Sequence, residues 1–322
     1  MQRPAERGFD SSPPPGERPR SPRVVPQRHP WRLGAAAAVL VLLAQVVHGL
    51  VTNPFFQWRR FGYWFARPVV LDGLLITLKV AALSAVCGLA GGVLLALARL
   101  SPNPVLRVLS WTYVWLLRSV PLIVLLLFLY NFSALYATVS VGVPFGPGLF
   151  RFDEARLATD TTVAVVGLSL NEAAYAAEVV RGGLLSVDRG QHEAAAALGM
   201  TRYRQFTRIV LPQALRSIVP AYVNQLIGLV KATSLVFYVS LLDLFGSVET
   251  LGSTYPGDVV PLLLTATAWY VILTSVISAL QYGIERRYSR GAAGGAAPPS
   301  ALHRARTTLR ALQARIALET AR

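Results

Sequence analysis

The sequence predicts an all-α polytopic membrane protein with about six transmembrane helices, and its composition and apolar runs carry that prediction. Of its 322 residues, 53% are apolar and 15% are charged, whereas an average soluble domain has about 25% charged residues. Between two polar ends lie six apolar runs, each about long enough to cross a bilayer as a helix. The runs cover residues 34–51, 70–99, 106–131, 161–185, 214–243 and 259–283. This pattern argues against a single soluble globule.

The N-terminal part predicts three successive segments. Residues 1–33 are rich in Pro and Arg and lack an apolar period, which predicts a disordered basic tail. The uncharged run 34–51 predicts an additional N-terminal transmembrane helix. A cleaved signal peptide is the alternative, although the polar region before the run is long and no clear cleavage site follows. Residues 52–69 mix aromatic side chains with Arg59 and Arg60, which suits an external segment lying among the headgroups.

The rest of the chain predicts a transmembrane core at 70–285 and a basic tail at 286–322. Pro121 lies inside the run 106–131 and is expected to kink that helix. In the tail, leucines recur at a roughly helical spacing between arginines. The tail therefore either rests on an anionic inner leaflet or is a solvated segment.

The distribution of basic residues predicts that both termini are cytoplasmic. The formal net charge is +15, from 31 Lys and Arg against 16 Asp and Glu. With the N-terminus inside, 22 arginines fall in inner segments and five in outer ones, which is the positive-inside pattern. The loop 188–212 is then cytoplasmic, and the loops 132–160 and 244–258 face outward. Nucleic-acid binding is not favoured, because no aromatic residues alternate with the basic ones in the tails.

The residue types present exclude several kinds of chemistry. The single cysteine, Cys87, cannot build a disulfide framework or a paired-cysteine site, and four scattered histidines offer no metal-ligand spacing. No glycine-rich phosphate loop is present, so the chain is not expected to bind ATP. Clustered acids, or a nucleophile beside a base, are equally lacking. We therefore predict no catalytic residue, no metal and no cofactor on this chain.

The predicted inner loop has the pattern of a helix, a turn and a second helix. Asp188 precedes the first helix in a capping-box arrangement with Gln191, and HEAAAAL follows with high helix propensity. Gly199 supplies a helix stop. Thr201 can cap the second helix, which is expected to end near Pro212. A short projecting helix with a sharp turn can insert into the groove of a partner.

This loop resembles the EAA loop of the integral-membrane permeases of ATP-binding-cassette importers. The resemblance rests on Glu193-Ala194-Ala195, then Gly199, then Leu211-Pro212, at the spacing of that family. Further stretches are similar to the polar amino-acid branch of the family: AYAAEVVRGGLLSVDRGQHEAAAALG, LPQALRSIVPAYVNQLIGLVKATSL and LRSVPLIVLLLFLY. The resemblance covers about residues 70 to 285.

The resemblance implies a multi-pass cell-membrane permease that moves a polar amino acid into the cell, driven by ATP hydrolysis on a separate ATPase subunit. It implies these partners: two ATPase subunits that bind the ATP and Mg, a second permease subunit of the same or a sister chain, an external solute-binding protein, and membrane lipid. It also implies that the loop couples to the ATPase, through Glu193, Ala194, Ala195, Gly199, Leu211 and Pro212. The small alanines would allow close approach, and Glu193 would offer a charge.

Ionisable residues inside the predicted spans are functional candidates, because they are costly in lipid. Glu172 and Lys231 reach similar predicted depths, and they either line the path of a zwitterionic amino acid or pair with each other. Glu172 could instead face a cationic side chain of the cargo. Asn171 and Tyr175, on the helix of Glu172, are assigned to the same path.

The remaining charges in the spans are expected to be structural or to act in gating. Glu178 and Arg181 lie three residues apart and can pair on one helix face, and Arg118 lies just before Pro121. The sequence Lys231-Ala-Thr-Ser-Leu departs from the branch, which often has Asp after the Lys, so the cargo stays open. Intramembrane acids also keep an alternative open, an ion-coupled secondary transporter of a small polar solute.

Overall fold

The computed structural model describes residues 30–132, 138–142, 148–153 and 159–289. These residues form two units that divide after Pro54. The first contains helix α1 (Pro30–Thr52). The helices of the second are α2 (Trp58–Phe65), α3 (Pro68–Leu100), α4 (Pro104–Ser119), α5 (Leu122–Tyr130), α6 (Asp160–Leu185), α7 (Arg189–Ala197), α8 (Arg202–Gln205), α9 (Leu211–Ala232), α10 (Leu244–Thr254) and α11 (Val259–Ser289).

The predicted fold class is confirmed, because the residues that the structure describes are overwhelmingly helical and their long helices are apolar. Among the described residues, five helical stretches are long and apolar enough to cross a membrane, and the pair α4 and α5 makes a sixth if it counts as one broken span. The break in that pair bends the chain by 100° at Val120 and Pro121. The predicted kink is therefore present, and it divides the span into two helices.

Helix α1 begins within the predicted basic tail, at Pro30, where the missing backbone N–H of proline costs nothing in a first turn. Its apolar side chains from Val39 to Val51 are exposed, as expected of a helix surrounded by lipid. Residues 1–29 and 290–322, which hold most of both predicted tails, lie outside the described residues.

The predicted interfacial segment contains a short 3-10 turn, Pro54–Phe56, and the helix α2. The aromatic face of α2 packs on α11. Trp64 is buried and donates a hydrogen bond of 2.9 Å from Nε1 to Oδ2 of Asp258, while the rings of Phe65 and Trp269 stack at 4.8 Å. Arg60 adds an ion pair of 3.4 Å with Asp258. The segment is thus part of the helical core as well as amphipathic.

The centre of the core is the contact between α3 and α6, where glycines allow the backbones to approach. A Cβ atom added at Gly88 would lie 2.6 Å from Cγ of Glu172, and one at Gly92 would lie 2.5 Å from Cβ of Ala176. Small residues in a membrane helix serve such close packing. Leu126 of α5 packs on Gly167 in the same way.

A two-stranded antiparallel hairpin lies in the predicted outward loop 132–160. Its strands are β1 (Thr138–Gly142) and β2 (Gly148–Asp153), with Val139 opposite Phe152 in the register. The pairing becomes irregular between Val141 and Gly142. The hairpin is a small addition to a chain that is otherwise helical in its described part.

Candidate functional site

The segment between α6 and α9 forms a helix, a left-handed turn and a second helix, and we call this segment, residues 188–212, the EAA loop. Asp188 caps α7, because its carboxylate accepts a hydrogen bond of 2.6 Å from the backbone N–H of Gly190. The second half of the predicted capping box is absent, since Oε1 of Gln191 instead accepts a bond from Gln213. That contact ties the first helix of the loop to the beginning of α9.

Gly199 makes the turn with φ of 68°, in the left-handed region that favours glycine. Its N–H donates to the carbonyl of Ala196 at 2.9 Å, and the N–H of Met200 donates to Ala195 at 3.2 Å. These two bonds form a Schellman motif, which satisfies carbonyls at the end of α7. The predicted helix stop is present at this glycine. Thr201 occupies the cap position of α8, although its side chain makes no capping bond.

The prediction that the second helix ends near Pro212 is wrong. A π-helical turn, Phe206–Val210, follows α8, and the helix continues through Pro212 into α9. The wider turn makes this possible, because Pro212 then lies in the first turn of the resumed α-helix, where no N–H is needed. The side-chain amide of Gln213 donates to the carbonyl of Ile209 at 3.0 Å.

The EAA loop is anchored to the bundle by a buried apolar cluster at the ends of three helices. The cluster consists of Ala96, Val180, Val187, Val210, Ala214 and Ile218. A Cβ atom added at Gly183 would collide with the side chain of Ile218, so α6 and α9 touch closely just behind the loop. A rigid attachment of this kind lets a force on the loop move both helices together. We call this side of the bundle the loop end.

The exposed face of the EAA loop carries large apolar side chains together with a charge. Leu198 is 80% exposed and Tyr203 is 77% exposed, and Glu193 and Ala194 are exposed as well. Ala195, in contrast, is only 1% exposed. Its small side chain therefore lets α7 pack on its own loop, which revises the expectation that it lies open to a partner. Exposed apolar residues on a projecting loop are typical of an interaction surface.

Glu172 lies about 18 Å along α6 from Asp160, near the middle of a hydrocarbon core about 30 Å thick. It is 1% exposed. Its Oε2 lies 3.5 Å from Nε2 of Gln225, and its Oε1 has no hydrogen-bond partner among the described residues. Asn171 and Tyr175 are half-buried on the same helix. Burying a carboxylate oxygen without a hydrogen-bond partner costs free energy. Glu172 is therefore a candidate for binding a ligand.

The structure does not bring Lys231 and Glu172 together. Lys231 occupies the last turn of α9, six residues or about 9 Å beyond Gln225 along the helix. Its side chain lines a separate groove of about 390 Å³ with Tyr270 and Phe245. From the sequence, Glu172 and Lys231 were both predicted near the middle of their spans. The displacement of α9 along α6, which separates them, is not encoded in a pattern that a single sequence reveals.

The predicted pair of Glu178 and Arg181 is present, with a distance of 2.7 Å between Oε2 and Nη2. Arg99, at the end of α3, binds the other oxygen of Glu178. Arg118 lies over the ring of Tyr175, with 5.2 Å from its guanidinium carbon to the ring centroid. Arg99 ends the predicted run 70–99, and the sequence alone assigned it no role. Because Arg99 lies at the end of a span, its long side chain can reach back to an acid inside the membrane, and this position was the signal that the sequence offered.

Asp243, the last residue of the predicted run 214–243, is a further buried acid. It is 0% exposed, it caps α10 through the N–H of Gly246 at 2.9 Å, and its Oδ2 accepts hydrogen bonds from Thr77 and Tyr270. Every one of these contacts is internal, so Asp243 is a structural group that joins α3, α10 and α11.

A polytopic helical bundle with an anchored, projecting loop and a buried acid at mid-depth defines a membrane transport subunit. The chain belongs to the family described as binding-protein-dependent transport system inner membrane component, whose model matches residues 88–290. The resemblance to importer permeases is therefore confirmed. The chain is a non-catalytic, multi-pass subunit of the cell membrane, and its family works with an ATPase, a solute-binding protein and permease partners.

Relatives and solved structures agree with the family. The chain is 36% identical to the arginine transport system permease protein ArgU of Corynebacterium glutamicum, over 83% of each chain. It is 37% identical to the glutamate/aspartate import permease protein GltK of Escherichia coli O157:H7, over 68% of this chain and 93% of the relative. A crystal structure of an amino acid ABC transporter with histidines matches with a TM-score of 0.58 and 31% identity, over 68% of this chain and 94% of that one. These likenesses do not favour an ion-coupled secondary transporter.

Proposed function

We propose that the chain is the membrane subunit of an importer of polar amino acids and that the EAA loop couples it to the ATPase. The observation that carries this is the loop itself: two short helices around Gly199, with Leu198 and Tyr203 exposed at their junction. The names of its relatives, which include permeases for arginine and for glutamate/aspartate, support an amino acid as cargo.

The loop end of the bundle is the cytoplasmic end in this proposal, and both termini lie inside. The positive-inside pattern of the sequence supports this orientation. A cysteine-labelling experiment in a Cys87→Ala background tests it. A His192→Cys variant, on the EAA loop, should react with a membrane-impermeant maleimide only after the membrane is opened, whereas Tyr255→Cys, at the opposite end, should react in intact cells. The reverse result would invert the orientation.

The mechanism follows from the anchoring of the loop. When nucleotide closes two ATPase subunits, each moves the EAA loop seated on it, and the buried cluster behind the loop carries α6 and α9 along. Helix α6 carries Glu172, so this motion reaches mid-depth of the membrane without an intermediate element. Alternating access requires two such bundles, which this chain forms with a second copy or with a sister permease.

Glu172 is the residue that we assign to the path of the cargo, with Asn171 and Tyr175 beside it. The unpartnered Oε1 of Glu172 supports this assignment, because an anionic group at mid-depth suits the ammonium that every free amino acid carries. Lys231 lies too far along α9 to serve the same cargo position as Glu172. In this proposal the cargo carboxylate is bound by other groups.

Co-purification from native membranes tests the coupling role. We expect the tagged chain, extracted in mild detergent, to bring down an ATPase subunit and to show ATPase activity. The variant Glu193→Lys should lose both, because the reversed charge lies on the exposed face of α7. The matched control is Glu285→Lys, an exposed glutamate near the end of α11. Equal recovery of the ATPase with both variants would contradict the assignment of the EAA loop to ATPase coupling. Uptake by the purified chain without ATP would favour the alternative of an ion-coupled transporter.

A further inference from the structure

The loop end of the bundle holds a cationic cavity that the proposed transport cycle does not use. The cavity lies between α3, α4 and α6 and has a volume of about 300 Å³. Its polar and aromatic lining residues are Arg99, Trp111, Trp115, Arg118, Ser119 and Glu178. A volume of this size is at the lower end of the range for pockets that hold small ligands.

The charges around this cavity are not balanced. Arg99 and Arg181 both bind Glu178, whose single negative charge can neutralise only one of them. Arg118 makes no hydrogen bond or ion pair among the described residues, and its contact there is with the ring of Tyr175. Three guanidinium groups thus share one carboxylate. Guanidinium groups bind phosphate well, because their donors form a planar fork and their hydration is weak.

The surroundings of the cavity are those of a membrane interface. Glu178 lies about 27 Å along α6 from Asp160, close to the full thickness of the hydrocarbon core. The rings of Trp111 and Trp115 stack at 6.1 Å and are 51% and 56% exposed. Such partly exposed tryptophans mark the headgroup level. The neighbouring side chains of α4 are apolar and exposed: Val105, Leu106, Val108, Leu109 and Leu116.

We infer that this cavity binds the headgroup of an anionic phospholipid, with Arg118 and Arg99 facing the phosphate and the acyl chains along the apolar surface of α4. Basic pockets between transmembrane helices are typical sites for anionic headgroups. A soluble anion would not require the apolar surroundings. That the lipid belongs to the inner leaflet rests on the proposed orientation of the chain, whereas the binding itself does not.

Titration of the purified full-length chain with lipid tests this inference. Native mass spectrometry in detergent compares phosphatidylglycerol with phosphatidylcholine of the same acyl chains. The wild type should prefer phosphatidylglycerol, and Arg118→Gln should bind it about five-fold more weakly, the effect of one basic group near an anionic lipid. Arg107→Gln is the matched control, because Arg107 is exposed on the same helix and does not line the cavity. It should retain the preference.

The result distinguishes the possible occupants. If Arg118→Gln proves unstable, the variant Arg118→Lys replaces it in the test. Because Arg118→Lys keeps the positive charge, it should keep the preference for phosphatidylglycerol. Loss of that preference in a stable Arg118→Lys variant would overturn the inference. Displacement of phosphatidylglycerol by millimolar glutamate or inorganic phosphate would identify a soluble anion instead and would also overturn it. Equal binding of phosphatidylglycerol by all variants would overturn the inference, because Arg118 would then contribute nothing to the preference. The measurement uses neither the ATPase nor a transported cargo. A negative result would therefore overturn the lipid site without bearing on the proposed transport function.

Discussion

The amide of Gln225 lies 3.5 Å from Oε2 of Glu172, across the contact between α6 and α9. This is a long hydrogen bond. No ion pair joins Glu172 to a basic residue among the described residues, and its Oε1 has no partner there. A carboxylate so placed gains most from a cation that reaches it. The long contact with Gln225 therefore favours a role for Glu172 in binding the cargo over a role in stabilising the bundle.

Replacing Glu172 with Gln should raise the KM of uptake by about tenfold, which corresponds to the loss of one charge-assisted contact. The thermal stability in detergent should not fall, because the change removes a poorly paired buried charge. Uptake by reconstituted vesicles and a melting curve measure the two effects. Glu249→Gln, the same change on α10, is the control. Unchanged uptake kinetics in Glu172→Gln would remove this residue from the path.

Replacing Gly199 with Ala should weaken the attachment of the ATPase. The left-handed backbone at φ of 68° costs a residue with a Cβ roughly 1–2 kcal/mol. The turn between α7 and α8 should therefore distort. Gly182→Ala is the matched control, because an added Cβ there meets nothing within 4 Å and the φ is ordinary. We expect less ATPase to co-purify with Gly199→Ala and its activity to be stimulated less, with no such change in Gly182→Ala. Equal results for the two variants would contradict a role of the left-handed turn in attaching the ATPase.

Replacing Gly92 with Ala should destabilise the bundle by about 1–3 kcal/mol, the usual cost of overpacking. The new Cβ would lie 2.5 Å from Cβ of Ala176 and 3.0 Å from its backbone carbon, so α3 and α6 must separate. Gly228→Ala, where space is open, should have little effect. Melting temperatures in the same detergent compare the two. Equal melting temperatures would mean that α3 and α6 have room for an added methyl group at Gly92.

Replacing Glu178 with Gln should lower stability by about 2 kcal/mol, because Arg99 and Arg181 would then lie close together without a counter-ion. Adding Arg181→Gln to this variant should recover part of the loss, since it removes one of the opposed charges. A double-mutant cycle on melting temperature measures the coupling. If the two changes add independently, the three residues do not act as a network.

The spans and the glycine stop at 199 follow from the sequence because each depends on local chemistry. A run of apolar residues has few alternatives to a helix in lipid, and only glycine adopts the left-handed turn at low cost. Partners across helices depend instead on relative displacement, which one sequence does not reveal. Gln225, rather than Lys231, therefore meets Glu172, and Arg99 joins Glu178 unexpectedly. The continuation of the helix through Pro212 depends on a π-helical turn, for which the sequence has no clear signal.

The bond between Trp64 and Asp258 joins residues that are 194 positions apart, and this separation has a consequence for biosynthesis. While the chain is being synthesised, Trp64 cannot make this bond until residue 258 has left the ribosome. The stacking of Phe65 on Trp269 has to wait longer still, because Trp269 lies within the last span. A chain cut short before residue 258 therefore cannot satisfy the indole N–H of Trp64 through Asp258, which leaves an incompletely packed α2 for quality control to recognise.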